Sequence, residues 1–127
     1  MKNEQKFFIC RHCGNMVGMV VNAGVSISCC DENMEELVPN TVEASREKHL
    51  PAVTIDENRI SVNVGSADHP MVPEHFIEWI YIETARGGQR KNLEPGEAPK
   101  ATFLIEDDEA IAVYAYCNLH GLWKTKI

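Results

Sequence analysis

The chain has 127 residues, 44% of them hydrophobic, 24% charged and 7% aromatic. Twelve Lys and Arg against nineteen Asp and Glu leave a formal net charge of −7. With no basic stripe and no RNA-binding aromatic pattern, nucleic acid is not an expected partner. No apolar run approaches the ~18 residues needed to cross a bilayer, so a membrane is not expected either.

Met1 to Lys6 is polar, and Phe7-Phe8-Ile9 is too short for a signal-peptide core, which predicts a cytoplasmic protein. Thiols stay reduced there, so the five cysteines point to metal ligation rather than to disulfides. The length suits one domain, or a small module joined to a domain of about ninety residues.

Residues 1–38 read as the first unit. Cys10-Arg11-His12-Cys13-Gly14 is a metal knuckle, with two thiolates on one turn and a glycine that tolerates positive φ. Met16 to Val21 and Val25 to Ser28 read as short strands joined through Asn22-Ala23-Gly24. Cys29-Cys30 follows, with fifteen residues between Cys13 and Cys29. Neighbouring side chains on a strand point to opposite faces, so the pair can share one metal only if the backbone turns there. A unit this small needs the metal as a staple. Four thiolates suit zinc or iron, and spacing does not choose between them. His12 reads as a solvated loop residue.

Pro39 to Arg46 reads as a linker. Glu47-Lys48-His49-Leu50-Pro51 follows, and the proline predicts an extended or looped segment for Glu47 to His49. Strands are predicted over 52–55, 59–64, 77–84, 89–93, 101–105, 110–116 and 122–126. The loop from Gly65 to Glu74 holds His69, and His75 stands at its end. Seven short strands with turn signals between them predict an antiparallel β-sandwich. Trp79 and Trp123 read as core or cleft-lining aromatics, and Met71 as a space-filler.

The loops and strand ends carry His49, His69 and His75, and the late stretch Cys117-Asn118-Leu119-His120-Gly121 adds a thiolate and an imidazole on one turn. Zinc takes four such donors in a tetrahedron; five suit a larger coordination number, such as iron with one position open. Structural zinc, with some histidines capping loops, is the plainer alternative. A copper-binding sandwich with a late Cys and His is another, although no methionine follows His120 and two histidines would be surplus.

Taken together, Cys10-x-x-Cys13, Cys29-Cys30, Glu47-Lys48-His49, His69-Pro70-Met71 to His75, Trp79 and Cys117-Asn118-Leu119-His120-Gly121 resemble desulfoferrodoxin, the two-iron form of superoxide reductase, over essentially the full chain. The resemblance implies a mainly β protein: a desulforedoxin-like, rubredoxin-related metal module over residues 1–38 and an immunoglobulin-like antiparallel β-sandwich over residues 39–127. It implies two irons per chain. One would be held by Cys10, Cys13, Cys29 and Cys30. The other would be square-pyramidal, with His49, His69, His75 and His120 equatorial, Cys117 axial and a sixth position open.

The implied activity is one-electron reduction of superoxide to hydrogen peroxide, without dioxygen, using electrons from an external donor such as rubredoxin. A homodimer is implied as well. An axial thiolate should push electron density onto the iron, as thiolates do in haem enzymes. Glu47 would act as a carboxylate lid on the oxidised iron. Lys48 would supply the local positive field that draws in a small anion despite the net charge. The competing class is a non-catalytic electron carrier or metal-binding module with the same ligands.

Overall fold

The structure, a computed structural model, describes residues 4–127, so part of the polar start read over Met1 to Lys6 lies outside the described residues. The chain divides into two compact units, Met1–Val38 and Pro39–Ile127.

In the first unit, β1 (Phe7–Ile9) is the middle strand of a small antiparallel sheet, flanked by β2 (Met16–Gly18) and β5 (Glu35–Glu36). A two-stranded ribbon pairs β3 (Ser28–Cys29) with β4 (Glu32–Asn33). Phe7, Ile9, Cys10, Met34 and Leu37 are buried. The two strands expected over Met16–Val21 and Val25–Ser28 are cut short. Val20, Val21 and Val25 are 99%, 77% and 77% exposed. Valine favours strands because it fits a pleated, half-buried surface, and these three have no such surface to pack on. The turn between them holds as read: the Gly24 N–H donates to Asn22 Oδ1 at 2.9 Å, and Gly24 takes φ 84°.

In the second unit, β6 (Pro51–Asp56), β7 (Arg59–Val64) and β10 (Lys100–Leu104) form one sheet in the order β10-β7-β6. β8 (Ile77–Thr84), β9 (Gly87–Asn92), β11 (Ala110–Cys117) and β12 (Gly121–Lys126) form the other, in the order β12-β11-β8-β9. All pairings are antiparallel, and the seven strands match those predicted to within a few residues.

The period-two pattern explains the core. Ile60, Val62 and Val64 of β7 face Ile80 and Ile82 of β8 and Val113 and Ala115 of β11. Each fully buried aliphatic side chain of this kind contributes about 1.5–3 kcal/mol. Near the end of β11 the register with β8 shifts, so that Cys117 pairs with Ile77 rather than Glu78. This bulge changes which residues of β8 point inward and places both Cys117 and Ile77 in the core, each 0% exposed.

Two expectations need correction. Arg46–His49 is one turn of α-helix (α1), not an extended segment. The proline restricts only the residue before it. Leu50 is extended, with φ −67° and ψ 124°, and the helix ends at His49 just upstream. The segment from Pro39 is also more than a linker. The Asn40 N–H donates to the Leu122 carbonyl, its Nδ2 to the Lys124 carbonyl, and its Oδ1 accepts from the Lys124 N–H, so the approach to α1 is tied to β12.

Candidate metal centres

In the first unit the four sulfurs of Cys10, Cys13, Cys29 and Cys30 lie within 4.8 Å of one another. Two turns bring them together. The Gly14 N–H donates to the Cys10 carbonyl at 2.9 Å, and Gly14 takes φ 85°. Cys30 and Asp31 take φ 52° and 60° as the two central residues of the β3–β4 turn. That is the backbone reversal two adjacent cysteines need in order to converge.

The main-chain N–H groups of Cys13 and His12 favour the Cys10 thiolate and lower its pKa to about 6. Sharing protons with Cys10, Cys13 and Cys29 pushes Cys30 up to about 12. Four sulfurs that cannot all ionise unaided suit a cation that displaces their protons. His12 is exposed, with Nε2 3.1 Å from Glu32 Oε1.

In the second unit the donor atoms of His49, His69, His75 and Cys117 lie within 4.8 Å of one another. His120 sits beside them, its Nδ1 3.1 Å from His49 Nε2 and 3.9 Å from Cys117 Sγ. The five come from α1, the loop after β7, the segment entering β8, and the β11–β12 turn. Carbonyl oxygens fix two of the tautomers. His49 Nδ1 donates to the Ser45 carbonyl and His69 Nδ1 to the Pro70 carbonyl, each at 2.7 Å. Both Nε2 atoms are therefore lone pairs, and they face each other at 3.1 Å.

Two acceptors at that distance repel unless a cation lies between them. His75 Nε2 is buried without a hydrogen-bond partner. The donor set thus fits a metal ion on the chemistry of its own atoms. Electrostatics agree. Burial lowers the pKa of His49, His69 and His75, bringing His69 down to about 4, so these rings stand neutral at pH 7. Burial pushes the Cys117 thiol up, so metal binding there must release its proton.

Glu47 and Lys48 are exposed on α1, next to buried His49. The Lys48 charge is among the groups that disfavour a charged His49. Several supporting residues were not singled out as functional from the sequence. Trp123, 1% exposed, lies 5.0 Å from the His49 ring and donates from Nε1 to the His120 carbonyl at 3.1 Å. Asn118 accepts from the Phe76 N–H and donates to the Glu74 carbonyl, pinning the residues on either side of His75. Its position inside Cys117-x-x-His120 was the one available signal.

Residues 41–126 match the desulfoferrodoxin family profile. The chain belongs to the desulfoferrodoxin family. It is 40% identical over 127 residues to the desulfoferrodoxin of Clostridium acetobutylicum, covering 100% of both chains. The crystal structure of the superoxide reductase from Treponema pallidum superposes with a TM-score of 0.82 at 39% identity, covering 98% of this chain and 100% of that one. The one-iron superoxide reductase of Giardia intestinalis aligns at 29% identity with a TM-score of 0.56, covering 64% of this chain and 97% of its own. The four-cysteine and histidine–cysteine groups match the two iron centres of the desulfoferrodoxin family.

Proposed function

We propose that this chain is a superoxide reductase, reducing superoxide by one electron to hydrogen peroxide without making dioxygen. The observation that carries the reading is the convergence of one buried thiol and four imidazoles, two of them fixed as lone-pair donors by carbonyl bonds. That the superoxide reductase of Treponema pallidum matches along its whole length supports it.

His49, His69, His75, His120 and Cys117 hold the catalytic iron. An iron held there would supply a one-electron reductant for a small anion. The chain's own part is to hold the donors neutral, bury the thiolate and set a cation beside the entrance. Lys48 is that cation: a charge within a Debye length of ~8 Å outweighs remote acids in steering an anion. Glu47 would supply a carboxylate to an iron held there when no substrate is present.

Cys10, Cys13, Cys29 and Cys30 hold the second iron in a rubredoxin-type module over residues 1–38, with the catalytic sandwich over residues 39–127. Electrons come from a donor such as rubredoxin. The protein works in the cytoplasm as a homodimer. These roles rest on the family resemblance and on the two donor sets.

The deciding experiment is metal content per chain on protein produced with iron and zinc both available, followed by a superoxide assay. Two irons and a second-order reaction with superoxide are expected. Copper, or zinc alone, with no reaction would sink the reading. Cys13→Ser tests whether the four-cysteine centre relays electrons: if reduction by a donor protein is unaffected while the catalytic iron is in place, the four-cysteine centre is structural.

A further inference from the structure

An ideal Cβ on Gly65 would lie 2.5 Å from the Glu47 carbonyl oxygen, 2.8 Å from the Leu50 carbonyl oxygen and 3.0 Å from the Lys48 carbonyl carbon. All three are main-chain atoms, which cannot swing aside as a flexible side chain can. Gly65 is not among the positive-φ glycines, so the demand is for space and not for backbone freedom.

The next two residues grip the same place. The Ala67 N–H and the Ser66 hydroxyl both donate to the Glu47 carbonyl, at 2.9 and 3.2 Å. The gripping loop is itself held. Asn63 Nδ2 donates to the Gly65 carbonyl and to Asp68 Oδ1, and the Gly65 N–H donates to the Ala67 carbonyl. The His69 N–H then closes the loop on the Val64 carbonyl at 2.8 Å. One short loop therefore joins the carbonyl of Glu47 to the main chain of His69.

We propose that Gly65 and Ser66 are positioning residues that lock the main chain of Glu47–His49 against the loop leading to His69, and so set both the spacing of these two imidazoles and the placement of Lys48. This rests on the catalytic reading of the histidine–cysteine centre. His49 Nε2 and His69 Nε2 stand 3.1 Å apart across this contact, and a methyl group at Gly65 has nowhere to go except between the two segments that carry them. Ser66 supplies one of two bonds to Glu47, so its loss should loosen the lock without abolishing it.

The test uses iron-loaded full-length wild type, Gly65→Ala, Ser66→Ala and Ser66→Thr. The readouts are iron per chain, the ferric absorption and electron paramagnetic resonance of the histidine–cysteine iron, and the superoxide rate constant against ionic strength. The four-cysteine absorption serves as an internal reference. Gly65→Ala should alter the ferric signature and lower the rate about tenfold or more, since displacements near 1 Å at a reacting centre cost that much. Ser66→Ala should fold and keep its iron, yet shift the ferric spectrum and lower the rate about two- to fivefold, the effect of one neutral hydrogen bond. Ser66→Thr should restore both.

If Gly65→Ala fails to fold, the two Ser66 variants decide. Wild-type spectra and rates in the folded variants would overturn the inference alone. A wild type that takes no iron at the histidine–cysteine centre, or does not react with superoxide, would overturn the reading of the site and this inference with it.

Discussion

The two donor sets of this chain are built on opposite principles. In the first unit the sulfurs sit on two turns close in sequence, Cys13 and Cys30 are exposed, and the strands around them run two or three residues each. In the second unit the donors are gathered from positions up to 71 residues apart, and His49, His69 and Cys117 are buried in or against a seven-strand sandwich. Hydrogen bonds to the Ser45 and Pro70 carbonyls, and from Asn118 and Trp123, already fix their surroundings. One unit is assembled by its metal; the other is a scaffold that stands ready for one. The first needs cheap, local turn chemistry, whereas the second needs a fold.

The largest expected effect follows directly. Removing metal with a chelator under reducing conditions should unfold residues 4–38 and leave the sandwich folded, because five buried side chains among strands this short cannot offset the chain entropy. Amide exchange should show the β1 and β2 amides unprotected while Ile80 and Ala115 remain slow, by on the order of a thousandfold or more. Protection of β1 and β2 in metal-free protein would break the comparison.

Acid should destabilise the metal-free sandwich in the same sense as it does a salt-bridged carboxylate, because in both cases folding lowers the pKa. Burial lowers the folded-state pKa of His69 from its ordinary 6.5 to about 4. Below 6.5 the unfolded chain therefore binds more protons than the folded one, and stability rises with pH across that interval. His49 and His75 are shifted in the same direction for the same reason. Denaturant melts of metal-free protein between pH 7 and pH 4 should show steady loss of stability as pH falls through this window. The substitution His69→Asn should flatten the profile, and a slope that persists unchanged would remove His69 as its cause.

The same contrast explains what the sequence disclosed. Local patterns were legible: alternation in β7, the turn at Asn22-Ala23-Gly24, the knuckle at Cys10 to Gly14, and the backbone reversal demanded by Cys29-Cys30. The motif combination also pointed to the family. Features that depend on distant partners were not legible. Nothing near Trp123 says that its indole would hold His120 and lie against His49. Nothing near Gly65 says that the main chain of α1 would press on its Cα. The short helix was missed because a rule about one residue before proline was extended to three. Val20, Val21 and Val25 were misread because strand propensity counts the side chain and not the surface it lands on.

The smallest expected effects lie at Glu47 and Lys48, which differ from the five donors of the second centre in being exposed. An exposed ammonium contributes little to stability, so Lys48→Ile should leave the melting temperature within a few degrees. Its effect should fall on encounter. Superoxide is an anion approaching a protein of net charge −7, and loss of the Lys48 charge should slow the reaction about tenfold at low salt and flatten its dependence on ionic strength. Glu47→Ala should do the converse, changing the ferric absorption while sparing the reduction rate. A Lys48→Ile enzyme with wild-type rate and salt slope would mean that the field at the open position comes from the metal and its ligands alone. The scaffold of the second unit would then supply the electrostatics as well as the geometry, and α1 would matter only for the histidine at its end.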